Sequence, residues 1–385
     1  MADILFVMKY PLNGQETLIP KFQGQMAAME RYALPRRGYY AWCGPNAGGY
    51  VLDAADWLCR GEEKKLMHRS RFSRLPGYSH TFLFDDLMEG MKNAVRQMPF
   101  ALVYMRYMMT FSKAPAAFQA VKESGAKLVV EHPTYPFANG KKTSLLREPV
   151  FRYADRIFRQ VEPMIDLYTL IGEEAGGTLN GVDADSLPLH RSRGEAGPPA
   201  ILALASMTRG QGYDRLLRAM APVQEDYVIY FAGGSSDGSL EEWQRLAQEL
   251  NMGEKAQFLS PVQGAALDEL TDRCDIGMGG LGIHRLGQTV SRPLKQREYM
   301  ARGLPFFYAV NDPDMPEDER MCRHLPDDET IPDGAEILRF AKESRLDAEL
   351  PARMRAYARE HLGWEQQFKP VLERLGIPWN ETSSI

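Results

Sequence analysis

The sequence predicts an α/β protein built from two Rossmann-like, doubly wound domains facing a central cleft. Three observations lead there. Short apolar runs alternate with amphipathic segments, the rhythm of βα units and parallel sheets. That rhythm stops over residues 180–199, a stretch rich in Gly, Pro, Ser and charge, and then restarts. At 385 residues, the chain is also too long for one average domain.

In the first half, strands are expected at 4–8, 81–84, 101–105, 127–131 and 167–171. Helices are expected at 86–97 and 115–123, with Gly125 where a helix stop belongs. The expected domains are 1–179, a linker at 180–199, and 200–362. In the second half, strands are expected at 201–205, 227–232, 256–259, 275–278 and 305–309. A helix over 213–220 aligns Leu216, Leu217 and Met220. Another over 240–250 aligns Leu240, Trp243, Leu246, Ala247 and Leu250. The closing segment 363–385 carries Trp364, Phe368, Val371 and Leu372 at helical spacing.

Composition narrows the function. Hydrophobic residues make up 44% and charged residues 25%, an ordinary globular balance. A net charge of −5 provides no basic field for nucleic acid. The four cysteines (Cys43, Cys59, Cys274 and Cys322) form no CxxC pair, so neither a zinc site nor a disulfide framework is indicated. The start of the chain reads as a buried strand rather than a signal peptide. No run approaches the ~20 apolar residues of a membrane span; Arg106 interrupts the most apolar stretch, 100–111. The expected location is the cytoplasm, with the inner face of the cell membrane as the alternative. Residues 60–74 carry six Lys/Arg against two Glu. They read as a solvated surface helix or loop, or as a patch for anionic lipid or a phosphate-bearing acceptor.

Several chemistries lose support because their motifs are missing. There is no GxxxxGK[ST] loop, no complete GxGxxG after the first strand, no HExxH and no GxSxG elbow. Asp183-Ala184-Asp185 resembles a metal-binding DxD, but its position after Asn180-Gly181-Val182 favours a turn and cap. No metal or cofactor is expected.

The informative block begins at Arg209-Gly210-Gln211-Gly212-Tyr213 and continues through Phe231-Ala232-Gly233-Gly234, Phe258-Leu259-Ser260-Pro261-Val262 and Leu281-Gly282-Ile283-His284-Arg285. It ends with Pro293-Leu294-Lys295-Gln296-Arg297-Glu298-Tyr299-Met300-Ala301-Arg302-Gly303-Leu304-Pro305. A helix starting near Ser291 and Pro293 would present free amides and a positive dipole end to a diphosphate. Lys295 and Arg209 would add charge-assisted bonds. Glu298, one turn in, would accept from vicinal hydroxyls, or would instead pair with Arg302 at i+4. Gly233, Gly234 and Gly282 end strands, where glycine either lets a ligand approach or simply turns the chain.

The order and spacing of these pieces resembles the donor-binding domain of family 4 glycosyltransferases, which have the GT-B fold, and in particular bacterial members that build capsular or exopolysaccharides. Glu131-His132-Pro133-Thr134-Tyr135-Pro136 and Asn180-Gly181-Val182-Asp183 are similar to the same group. The resemblance implies that Glu298 holds the donor ribose and that His132 contacts the transferred sugar or a nearby phosphate. It implies that Gly24 lies in a loop near the phosphates, and that the main chain up to Val262 borders the base. A retaining, metal-independent transfer of a hexose-type sugar follows, from a UDP-linked donor to a saccharide or lipid-linked acceptor. The resemblance also implies that the last helix returns to the first domain.

The chain departs from the pattern in two places. Val290 stands where the family has a first glutamate, eight residues before Glu298. Ser206 and Gln211 replace the usual Arg and Lys after the first strand of the second domain. Neutralising the diphosphate then falls to Arg209, Lys295, Arg285 and backbone amides. A non-catalytic sugar-nucleotide-binding subunit, or another GT-B enzyme such as an epimerase, are the alternatives.

Overall fold

The structure is a computed structural model. It describes residues 3–7, 21, 24–25, 27–28, 38–44, 49–54, 64–68, 80–106, 112–132, 147–170, 180–194, 196–235 and 237–378. Chain contacts divide it into two units, Met1–Leu179 with Trp364–Ile385, and Asn180–Gly363.

The N-terminal unit holds seven strands: β1 (Asp3–Val7), β2 (Gly38–Gly44), β3 (Gly49–Ala54), β4 (Lys64–His68), β5 (Phe100–Arg106), β6 (Lys127–His132) and β7 (Leu167–Leu170). Their order is β4-β3-β2-β1-β5-β6-β7. The run from β2 to β7 is parallel, while β3 and β4 add antiparallel partners at one edge. The helices are α1 (His80–Gln97), α2 (Ala114–Ser124) and α3 (Arg147–Val161).

Side-chain alternation divides this sheet between two cores. Leu5, Val7, Val103, Met105, Leu128 and Val130 pack with α1, α2 and α3. Ile4, Phe6, Leu102, Tyr104 and Val129 face the other way and are covered by Trp364, Phe368, Val371 and Leu372. Those four side chains are buried at roughly 1.5–3 kcal/mol each, which fixes the last helix to this unit. Gly125 ends α2 in the left-handed conformation, φ 78°, as its position suggested.

The C-terminal unit is a six-stranded parallel sheet in the order β10-β9-β8-β11-β12-β13. Its strands are β8 (Ala200–Leu204), β9 (Val228–Ala232), β10 (Ala256–Leu259), β11 (Ile276–Met278), β12 (Phe306–Tyr308) and β13 (Cys322–His324). The helices are α4 (Tyr213–Met220), α5 (Ser239–Glu249), α6 (Ala265–Asp272), α7 (Leu294–Arg302), α8 (Gly334–Ser344) and α9 (Leu350–His361); α10 (Trp364–Arg374) belongs to the first unit. Strand order reverses between β8 and β11, a topological switch point outside whose carboxyl ends such sheets bind ligands.

Several expectations change. Residues 81–84 are not a strand but the first turn of α1; the helix buries Leu87, Met88, Met91, Ala94 and Val95 at helical spacing, and that packing outweighs a short Thr-Phe-Leu-Phe run. Within 60–74, residues Lys64–His68 form strand β4 rather than a helix or loop. Residues 180–199 pack on the C-terminal unit, with Val182 and Ala184 buried in its core. Asp183 caps a 3-10 turn through Asp185 N, at 3.2 Å, and Asp185 pairs with Arg359 at 2.5 Å. The Asp-Ala-Asp sequence is therefore a cap. Among the described residues, no helix is long and apolar enough to cross a membrane.

Candidate functional site

Two connections meet at the switch point. One leaves β8 and passes through a 3-10 turn at Arg209–Gln211 into α4. The other leaves β11 through Gly279, Gly280, Leu281 and Gly282 into a turn at Ile283–Leu286 and on to α7. Leu281 N donates to Gln211 O at 2.8 Å. A Cβ on Gly212 would sit 2.5 Å from Gly282 N, and one on Gly282 would sit 2.9 Å from Gly212 Cα. Gly212 also has φ 64°. The two glycines let the backbones cross, and no side chain fits at either position. Gly233 answers a different need: its Cβ would meet Ala205 O at 1.7 Å. Gly234 is exposed, and its nearest neighbour would be Pro261 Cγ at 3.6 Å.

Arg215 holds the glycine turn from below. It is fully buried and donates to Leu281 O, to Pro326 O at 3.0 Å and to Thr330 O at 2.6 Å. Arg285 is also committed. It bonds Asp214 at 2.7 and 2.9 Å and Glu329 at 2.8 and 2.6 Å. Its hydrogen bonds with Glu329 and Asp214 push its pKa further above the usual arginine value, and its charge is balanced within the protein. Arg209 is exposed, and its guanidinium makes no hydrogen bond among the described residues; its amide donates to Asp237 at 3.0 Å.

Helix α7 begins at Pro293 with no side-chain cap. The first N–H groups of a helix have no partner within it. Val290 and Ser291 approach the helix along Asn311: Val290 forms a parallel bridge to it, and Ser291 N donates to Asn311 O at 3.0 Å. Lys295, in the first turn, points back to the other connection, where Nζ donates to Gln211 Oε1 and, at 3.0 Å, to Tyr213 OH. Burial pushes its pKa down to about 7. Glu298 is half-buried, and its carboxylate makes no hydrogen bond or ion pair among the described residues. Burial raises its pKa, while the charge of Arg302 opposes that rise. The i+4 pairing is not made, because Arg302 instead bonds Asp268 at 2.6 Å. Val262 is half-buried beside the apolar layer under β9.

The remaining sites lie in the N-terminal unit. His132 ends β6 at a carboxyl terminus of the sheet, and its side chain lies outside the described residues. Gly24 has a packing reason to be glycine, since its Cβ would fall 2.1 Å from Trp364 Nε1. Sequence reasoning missed Glu131, which is fully buried. It accepts from Lys21 Nζ at 2.8 Å, Gln25 Nε2 at 3.1 Å and Tyr104 OH at 2.6 Å. A carboxylate closing the apolar run Lys127–His132 was the signal for it. Tyr213 closes the run 209–213 and starts α4, and nothing in its spacing marks its hydroxyl as the partner of Lys295.

No protein-family model matches the chain, and neither does any curated sequence. Solved structures do match. HepE of Anabaena, solved with UDP and glucose, aligns at TM-score 0.62 and 15% identity, over 98% of this chain and all of that one, 100%. A glycosyltransferase from Rickettsia africae aligns at 0.58 and 13%, over 98% of each chain. The lipopolysaccharide outer core galactosyltransferase WaaB aligns at 0.58 and 12%, over 97% of this chain and 99% of its own. The fold is GT-B.

Proposed function

We propose that the chain is a glycosyltransferase that moves a hexose-type sugar from a UDP-linked donor to a saccharide or lipid-linked acceptor in cell-surface polysaccharide synthesis. The observation that carries this reading is the tip of α7. There, uncapped amides, a lysine without a carboxylate and a glutamate without a donor stand together at the switch point of a GT-B domain. A nucleoside diphosphate sugar supplies what each lacks. Its phosphate oxygens take the amides and Lys295, and its vicinal ribose hydroxyls donate to Glu298. Crystals of HepE with UDP-glucose, a similar fold, support a UDP donor.

In the reaction, the bond from the sugar anomeric carbon to the diphosphate breaks and a bond to an acceptor oxygen forms. Negative charge gathers on the leaving diphosphate. Preorganised amides and Lys295 stabilise it most in the transition state, where it is greatest. Arg209, exposed on the neighbouring turn, adds a second cation. Gly234 and Val262 border the nucleoside, while Gly233 and Gly282 keep the backbone turns in place. Arg285 serves the same scaffold, because its guanidinium is already taken. Resemblance to family 4 supports retention of configuration, no metal requirement and a role for His132 at the transferred sugar; a peripheral membrane contact would serve a lipid-linked acceptor.

Release of UDP from a panel of UDP-sugars with purified protein tests this reading. Turnover abolished by Glu298→Ala is the expected result. UDP binding without turnover over all donors and acceptors would point to a non-catalytic subunit. Interconversion of two UDP-sugars without acceptor would point to an epimerase.

A further inference from the structure

The amine of Lys295 is unusual in its surroundings. An ammonium carries three N–H donors and no acceptor. The structure gives this one two acceptors, Gln211 Oε1 and Tyr213 OH, both uncharged. A neutral amine places both of its N–H groups on that pair and leaves only its lone pair without a donor. The third N–H of the charged form has no acceptor among the described residues, and no carboxylate forms an ion pair with it there.

The charged and titratable groups on the surrounding elements do not fill the gap. On α4, the Tyr213 phenol stays protonated because burial pushes its pKa well up. Its ring centroid lies 5.2 Å from Nζ and offers the ammonium a cation–π contact but no anionic acceptor, and Asp214 is taken by Arg285. On the turn before α4, Arg209 is exposed and Gln211 is neutral. On the turn after β11, Arg285 is held by Asp214 and Glu329, and His284 lies against Asp327 and Glu329. On α7 itself, Glu298 lies one turn further along and makes no hydrogen bond or ion pair with Lys295 among the described residues, and Arg302 bonds Asp268.

We propose that Lys295 takes up a proton from solvent when a sugar-nucleotide diphosphate binds, so that donor affinity falls as pH rises through neutrality. The phosphate oxygen supplies the missing third acceptor and the missing counter-charge together. The step is R–NH2 plus a solvent proton and a phosphate anion giving R–NH3+ against that anion, with no other bond made or broken. The lowered pKa of the empty site, about 7, agrees with it. The sign follows from linkage. Binding raises the lysine pKa, so affinity is greatest below the free value and weakens above it, up to tenfold per pH unit until the bound value is reached. This inference rests on the UDP-sugar reading of the site.

The test is calorimetric titration of UDP-glucose into the full chain at pH 6 to 8.5, in buffers of differing ionisation enthalpy. UDP-glucose is chosen over UDP because a terminal phosphate titrates near pH 6 by itself, whereas a diphosphate diester does not. Close to one proton should be taken up per UDP-glucose at pH 8, and Kd should rise up to tenfold per unit above pH 7. Lys295→Arg, which keeps a permanent charge, should bind with no proton uptake and a level Kd. Binding by the wild type with no uptake and a level Kd overturns the proton coupling and leaves the donor site standing. No binding by the wild type at any pH overturns both.

Discussion

Each domain has a lysine and a glutamate near the carboxyl side of its sheet, and the two domains treat the pair in opposite ways. In the N-terminal domain, Lys21 and Glu131 are 2.8 Å apart and almost wholly out of solvent, Gln25 and Tyr104 also donate to the carboxylate, and the positive charge of Arg106 favours its ionised form. In the C-terminal domain, Lys295 and Glu298 lie on one helix, and neither meets an opposite charge. A buried pair that satisfies itself holds a fold together. Partly buried charges left without partners weaken the empty fold and await a ligand. On the proposed function, the difference separates residues that carry structure from residues that would carry donor binding.

The comparison breaks most easily at the N-terminal pair. Lys21→Met leaves Glu131 charged and buried, so urea unfolding should show a loss of about 3–5 kcal/mol from the first domain. Adding Glu131→Leu should recover most of it. A loss no larger than a surface substitution would show that the pair does not act as a clamp.

Glu298→Ala should do the reverse. Removing a carboxylate that accepts two ribose hydroxyls costs roughly 2–3 kcal/mol of binding, a drop of about 30- to 150-fold in UDP-glucose affinity by calorimetry. The melting temperature of the free protein should hold or rise, because the lost charge had no partner. Gly212→Ala falls between the two: its left-handed φ and the crossing with Gly282 should cost about 1–3 kcal/mol of stability and weaken donor binding with it. The smallest effect is expected at Arg285. Arg285→Ala should change UDP-glucose affinity less than about threefold, because its guanidinium already serves Asp214 and Glu329. A tenfold loss would place it on the donor.

Much of the second domain could be read directly. The helix over Tyr213–Met220 and the strand over Ala256–Leu259 fall at their expected ends, because long periodic runs and glycine stops are local signals. The helix start at Pro293 is legible for the same reason, and it sets Lys295 in the first turn and Glu298 one turn in. The first domain was less legible. Strands β2, β3 and β4 carry no clean alternation, and Thr81 to Phe84 look like a strand until α1 is packed on its core. The clamp at Glu131 joins residues more than a hundred positions apart, and no local pattern encodes such a partner. Gly24, singled out for a place near the phosphates, has a packing cause instead: the space it leaves is filled by Trp364.

A crystal structure of the chain with UDP-glucose tests most directly whether a diphosphate sits at the tip of α7. It should show phosphate oxygens within hydrogen-bond distance of Lys295 Nζ and of the first amides of the helix, with the ribose hydroxyls on Glu298. Density for the nucleotide in any other place, with Lys295 and Glu298 untouched, would contradict that placement.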